Sequence, residues 1–389
     1  MNKIFFVTDA NAPDYLKDFY EKNILPAFEE SDCLFMTAEL PVTGAGAEAS
    51  AGAILSAVKN DECNYIMSLD YYPVLSLAAG ALGIKYISWI MSSYSPFYYD
   101  YSVNNSWNYI SSPNMALVSE LREIGVEHVS FLPLAVEKGT TDSSCEKCDV
   151  EKLDAGDLYF WAEGMYPPSS VSSKMNRIMD ASKGYMDGVV ETRKCDPSLE
   201  PIFDKLPDYV RADIENNYVY EKASFEKAAH VYDHRVFFPH IDESIGRSFV
   251  SLRYGYAQGY NCVTDVSLPP FTDGTVLLSR EEATEILKNK SKVCVCAFIA
   301  QLGAGELFSQ DMWNVLAMGH VLVVPDYIDT SFLGECVVLK YKNNHELEYV
   351  VRSILSDGNR ASEISRNNID CIVKLGGYKE RINELVGNC

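Results

Sequence analysis

The sequence predicts an α/β protein made of two parallel-sheet, Rossmann-like domains with a helical insertion. Three observations carry that prediction. Short apolar runs alternate with amphipathic segments along most of the chain, which is the pattern of βαβ units. A second such series starts near residue 150 after a polar stretch, and a charged stretch without strand character fills about 170–240. The length of 389 residues fits two domains at roughly 100–200 residues each.

The first domain is expected over residues 1–150. Residues 4–8 read as a buried strand, and 15–30 as an amphipathic helix with Leu16, Phe19, Tyr20, Ile24, Leu25 and Phe28 on its apolar side. A strand at 33–37, a helix at 52–59 and a strand at 65–69 follow. The Ala-rich helix 74–82 is stopped by Gly83, whose freedom at positive φ suits a helix end. Strand 86–90, helix 117–125 and strand 129–132 complete the series. The second domain, 151–389, opens with strand 158–162 running into Glu163 and Gly164. After the insertion come helix 248–258, strand 261–266, helix 280–289 and strand 293–300. Helix 310–317, strands 321–324 and 336–341, and helix 346–356 finish it.

Composition narrows the function classes. With 33 Lys+Arg against 55 Asp+Glu the net charge is −22, so a broad surface for DNA or RNA is excluded by repulsion of phosphates. A nucleotide ligand, which needs only a few local donors, stays allowed. The apolar start Ile4–Val7 is shorter than the about 7–15 residues of a signal peptide core, and no run nears the roughly 18 of a membrane span. A soluble, cytoplasmic protein is expected. The eleven cysteines are scattered, Cys294 and Cys296 within an apolar run. The single C-x-x-C, Cys145 and Cys148, has no second Cys/His pair to complete a zinc site and reads as a linker pair, so no metal is expected.

The chemistry concentrates in residues 303–325. A loop, Gly303-Ala304-Gly305, leaves a strand and opens a helix, where backbone N–H groups and the helix dipole can hold a diphosphate. Glu306 sits on this loop, Asn314 eight residues on in the helix, and Gly319 ends the helix before an apolar strand. Gly164, after the first strand of the second domain, allows close approach of backbone to phosphate, and Arg247 can neutralise phosphate charge. The alternatives are ordinary ones: a helix-start carboxylate for Glu306, a turn for Gly164, and a solvated side chain for Arg247. Asp9 and Asp70 end predicted strands and, with His240, are the candidate catalytic groups, turn capping being the alternative for both aspartates. The aromatic-rich stretch 89–109 offers Trp89, Tyr94, Tyr98 and Tyr99 as a surface on which a sugar could stack; a loop packed on its own domain is the alternative.

The 303–325 segment resembles the donor-binding motif of GT-B glycosyltransferases, an E-x7-E pair followed by an Ala-Met-small-Gly turn and an apolar strand. Glu306 matches the first Glu and Ala317-Met318-Gly319 the turn, while Asn314 stands where the family holds its second Glu. Much of the chain is similar to the spore-maturation CgeB-like branch. Gly83-Ile84-Lys85-Tyr86-Ile87-Ser88-Trp89, Phe131-Leu132-Pro133-Leu134-Ala135 and residues 157–166, ending in Tyr166, follow the family's order. Asp311 departs from the usual Arg, and residues 91–96 from an acidic-Ser-Pro.

The resemblance implies a GT-B fold with its two domains facing across a cleft. It also implies transfer from a nucleotide-diphosphate sugar, a UDP-sugar above others, to a glycan or glycoprotein acceptor, without metal or cofactor. Gly164, Tyr166, Arg247, Gly305, Glu306, Asn314 and Gly319 would then hold the donor. The motif spacing is similar to that of retaining enzymes. Asn314 and Asp311 motivate an alternative, a catalytically degenerate binding module, and a sugar epimerase of the same fold is a third reading. Dimerisation is left open by the sequence.

Overall fold

The computed structural model describes residues 2–12, 14–31, 33–43, 46–91, 96–137, 158–163, 207–217, 261–263, 277–278, 293–299, 308–326, 328–342 and 344–387, with 140, 179 and 181 between them. The chain divides into two compact units, Met1–Lys138 with Leu375–Cys389, and Gly139–Lys374.

Unit 1 holds a six-stranded sheet of β1 (Lys3–Asp9), β2 (Leu34–Leu40), β3 (Tyr65–Leu69), β4 (Lys85–Trp89), β5 (Asn108–Ser112) and β6 (Val129–Phe131). The order is β2-β1-β3-β4-β5-β6 and every pairing is parallel. A parallel sheet is covered on both faces, so its inner strands read as continuous apolar runs. Ile4, Phe5, Phe6 and Val7 of β1 are all buried, whereas the edge strand β2 keeps its residues part-exposed. Helices α3 (Ala47–Asn60), α4 (Pro73–Leu82) and α5 (Met115–Glu123) cover the sheet through Ile54, Leu75, Ala79, Leu117 and Leu121. Gly83 ends α4 at φ +66, as its sequence position predicts.

The expected single helix over 15–30 is three pieces: α1 (Asp14–Phe19), a π turn (Tyr20–Ile24) and α2 (Leu25–Glu30). Pro26 explains the break. It has no N–H and its ring would clash with the carbonyl four residues back, so the helix widens there and the Leu25 N–H bonds to the Tyr20 carbonyl instead. Strand β5 starts at the very end of the aromatic-rich stretch 89–109.

Unit 2 holds a second six-stranded parallel sheet: β7 (Leu158–Glu163), β8 (Asn261–Val263), β9 (Leu277–Leu278), β10 (Val293–Ile299), β11 (Val321–Pro325) and β12 (Leu339–Tyr341). Its order is β12-β11-β10-β7-β8-β9. The described helices are α6 (Asp208–Asn217), within the expected insertion, α7 (Gln310–Ala317), α8 (Asn344–Leu355) and α9 (Gly358–Leu375).

The last helix, α10 (Tyr378–Gly387), packs with unit 1, although the sequence reading draws one boundary near 150 and leaves the C-terminus with the second domain. Buried aromatic contacts set this: the Tyr378 ring lies 5.3 Å from Phe19 and 5.8 Å from Trp89. Nearby, Arg381 Nε donates to the Leu134 carbonyl at 3.4 Å. Among the described residues no helix is long and apolar enough to cross a membrane.

Candidate functional site

In open parallel sheets, ligands bind beyond the carboxyl ends of the strands, at the point where strand order reverses. In unit 2 that point falls between β7 and β10. In sequence, Gly164 directly follows β7, and Gly303–Glu306 stand between β10 and α7. The two stretches picked out from sequence as donor loops therefore leave the two strands that flank the switch point. The pairing of β10 with β7 also shifts register between Cys296 and Phe298, a local irregularity in the ladder. Gly164, Tyr166, Arg247, Gly305, Glu306, His240 and Tyr94 lie outside the described residues, as do Cys145 and Cys148.

Helix α7 follows from its local sequence. Ser309 caps it, accepting the Met312 N–H at 3.3 Å, and Asp311 in the first turn complements the dipole. Its apolar side is buried, with Trp313 set between Phe308 and Phe332. Asn314 is half-buried, and its Oδ1 accepts from Gln310 Nε2 at 3.1 Å. The amide oxygen that would bind a ribose diol is already engaged one turn back.

Gly319 is packed tightly against α9 at the end of α7. It turns at φ +77, and a Cβ there would meet Ile369 Cδ1 at 2.8 Å and Ser365 Oγ at 3.2 Å of α9. The Ser365 hydroxyl also donates to the Gly319 carbonyl. Gly319→Ala is expected to cost about 2–3 kcal/mol, from left-handed backbone plus overpacking, read as a lower urea midpoint by Trp313 fluorescence.

In unit 1 the order reverses between β1 and β3, and Asp9 and Asp70 stand at those two strand ends. Asp9 is a loop clamp. Its Oδ1 accepts the N–H groups of Asn11 (3.1 Å) and Val42 (3.2 Å), and its Oδ2 accepts the Thr43 hydroxyl (2.8 Å). Both oxygens tie the loops after β1 and β2 together, as the turn-capping alternative expects. Asp70 adopts φ +61, a backbone state costly for a side-chain-bearing residue but tolerated by Asp. The corner is over-determined. Asp70 N–H donates to the Trp89 carbonyl (2.8 Å), and its Oδ1 accepts Met91 N–H (2.8 Å) and the Tyr98 hydroxyl (3.4 Å). Its carbonyl accepts the Ser68 hydroxyl at 2.7 Å and the Tyr86 hydroxyl at 3.3 Å.

Of the aromatic candidates, Trp89 and Tyr98 are core residues, 0% and 1% exposed. Trp89 ends β4 beneath Tyr378 and Tyr98 braces Asp70, so neither presents a ring to a sugar. Tyr99 closes the 3-10 turn Pro96–Tyr99. Residues missed from sequence line a cavity of about 230 Å³ over β1–β3, among them Lys17, Tyr20, Thr37 and Glu39. The Lys17 ammonium donates to the Ala10 carbonyl and to Glu39 Oε1, each at 3.1 Å. The interruption by Pro26 was the available signal, because π turns gather at functional sites.

No protein-family model matches the chain, and no curated protein matches it. Two parallel Rossmann-like sheets, each reversing its strand order, define the class: this is the GT-B fold. The particular likeness is to a glycosyltransferase from Rickettsia africae ESF-5, whose crystal structure aligns over 99% of this chain and 97% of its own at 10% identity and TM-score 0.52. Anabaena Alr3699/HepE in complex with UDP aligns over 100% of both chains at 9% identity and TM-score 0.49. Sucrose-phosphate synthase from Thermosynechococcus elongatus covers 100% of this chain and 98% of its own at 10% identity and TM-score 0.48. At such identities the likeness is one of fold, and the first of the three carries it.

Proposed function

We propose that this chain is a CgeB-like glycosyltransferase, moving a sugar from a nucleotide-diphosphate sugar, a UDP-sugar, to a glycan or protein acceptor. The observation that supports the reading is that the unit 2 switch point lies between β7 and β10, the strands that precede Gly164 and Gly303–Glu306 in sequence. On this reading the donor diphosphate lies on those two stretches, and Glu306 takes a hydroxyl of the donor. The acceptor oxygen bonds to the anomeric carbon as the anomeric C–O bond to the diphosphate breaks, and the departing diphosphate receives the acceptor's proton. Backbone N–H groups stabilise the charge that develops on the leaving group, so the reaction needs no metal. A retaining course suits unit 1, because it asks for no protein base and both oxygens of Asp9 are engaged by loop donors.

Calorimetry with UDP, GDP and dTDP, followed by donor hydrolysis, tests the proposal. UDP is expected to bind, and Glu306→Ala to weaken it about 10–100-fold, the loss of a hydrogen bond to a charged group. Failure of all three nucleotides to bind sinks the reading. The Gln310–Asn314 bond favours a second reading, a binding module that holds the nucleotide sugar without transfer. Tight binding with no turnover on any acceptor would select it, and interconversion of the donor without acceptor would select an epimerase.

A further inference from the structure

Two cysteines meet in unit 2. Cys336 stands in the segment that joins β11 to β12, and Cys371 is on α9. Both turn to one acceptor: the Leu333 carbonyl accepts the Cys336 N–H at 3.2 Å and the Cys371 thiol at 3.7 Å. The neighbours of Cys336 on either side are held by the same helix. Asn367 Nδ2 donates to the Glu335 carbonyl at 2.8 Å, and the Asn368 side chain bonds both the N–H (2.6 Å) and the carbonyl (2.9 Å) of Val337. Residues 333, 335 and 337 are therefore fixed by 371, 367 and 368, and Cys336 cannot slide along α9. Both side chains are thiols, Cys336 part-exposed and Cys371 buried. Burial, and then the hydrogen bond with Cys371, push the Cys336 thiol up, so it stays protonated at neutral pH and reacts slowly. One thiol that solvent reaches, held beside a second that it does not, is the arrangement of an internal disulfide in its reduced form.

We propose that Cys336 and Cys371 are a reversible redox pair whose disulfide fastens the β11–β12 segment to α9. The oxidant is a small-molecule disulfide, for which oxidised glutathione is the probe. The Cys336 thiolate attacks it, giving a mixed disulfide and releasing one glutathione. Cys371 then loses its proton to solvent, and its sulfur attacks the Cys336 sulfur and expels the second glutathione. Two electrons and two protons pass from the pair to the oxidant, which leaves as two thiols. The new bond replaces the hydrogen bond of the Cys371 thiol to Leu333 and closes a loop containing β12 and α8. It bears on α7 as well, because Ser365 and Ile369 of α9 pack on Gly319 at the end of that helix.

Thiol mapping on the full chain tests this. The protein is equilibrated in glutathione buffers of rising oxidised fraction and blocked with N-ethylmaleimide. Trypsin and a glutamate-specific protease then cut at Glu335, Lys340, Arg366 and Lys374, which separates the two cysteines from the others. One linked species, the Cys336 peptide joined to the Cys371 peptide, is expected to accumulate and to vanish with dithiothreitol. Its formation is expected to raise the urea midpoint of unit 2 by about 1 M, since closing the loop restricts the unfolded chain. Cys371→Ala is expected to stop Cys336 at the glutathione adduct, and Cys336→Ser to leave Cys371 unmodified, neither showing the oxidative rise in midpoint. Both cysteines alkylated in the most oxidising buffer, a separate glutathione on each, or a link from Cys336 to a different cysteine overturns the proposal. The linked peptide with an unchanged midpoint overturns the fastening of the segment to α9.

Discussion

Tyr378→Ala is expected to destabilise unit 1 by about 3–5 kcal/mol, the usual cost of removing a large buried aromatic side chain. Tyr378 is 4% exposed, meets Phe19 edge-on at 85°, and lies against Trp89 with its hydroxyl near the Ala135 backbone. The ring joins α10 to β4. Trp89, at the end of β4, accepts the Asp70 N–H, so the loss propagates to the carboxyl edge of the sheet. Tyr378→Phe keeps both ring contacts and is expected to cost only about 1 kcal/mol. Urea midpoints and hydrogen exchange in β4 and α10 measure the effect. A change below about 1 kcal/mol for the alanine variant would mean that Ile382 and Leu385 dock the helix unaided.

Helix α9 marks where sequence reading stopped short. Buried Ala361, Ile364, Ser365, Asn368, Ile369 and Ile372 recur at helical spacing through it, a pattern open to reading although a third of it is polar. Asn368 is buried for a reason no periodicity announces: its side chain bonds both the N–H and the carbonyl of Val337. By contrast β3 and α7 have the bounds the sequence predicts, because each is an apolar run between clear stops. Residues 89–109 misled for a compositional reason. A tyrosine-rich stretch looks the same whether its rings face solvent or, like Tyr98, turn inward to bond a strained aspartate. Strand order was not legible at all, since it depends on which non-neighbouring strands pair. It alone reveals that β7 and β10, which precede Gly164 and Gly303–Glu306 in sequence, are neighbours in the sheet.

Alkaline pH is expected to remove about 3 kcal/mol of unit 1 stability between pH 10 and 11. Tyrosine in an unfolded chain titrates near 10. In the fold, burial pushes Tyr71 up to about 12, despite its bond to Ser102, and drives Tyr86 and Tyr378 higher still. Below pH 10 folded and unfolded chains hold the same protons, so this stability is fully present. Between pH 10 and 12 the unfolded chain releases protons that the folded unit keeps. Stability then falls by about 1.4 kcal/mol per pH unit for each of the three tyrosines, and above 12 Tyr86 and Tyr378 prolong the loss as Tyr71 ionises in place. About 3 kcal/mol is a large part of the roughly 5–15 kcal/mol that holds a domain together. Urea midpoints at pH 9, 10 and 11 read the slope, and a midpoint unchanged from pH 10 to 11 would contradict the burial argument. Tyr86→Phe is the sharper probe. It lowers stability at neutral pH by about 1–3 kcal/mol, because the Tyr72 N–H loses its acceptor, and it reduces the alkaline slope by one proton. The Tyr86 hydroxyl also bonds Ser68 and the Asp70 carbonyl, so the proton it keeps is one that holds the Asp70 corner closed at the switch point of the sheet.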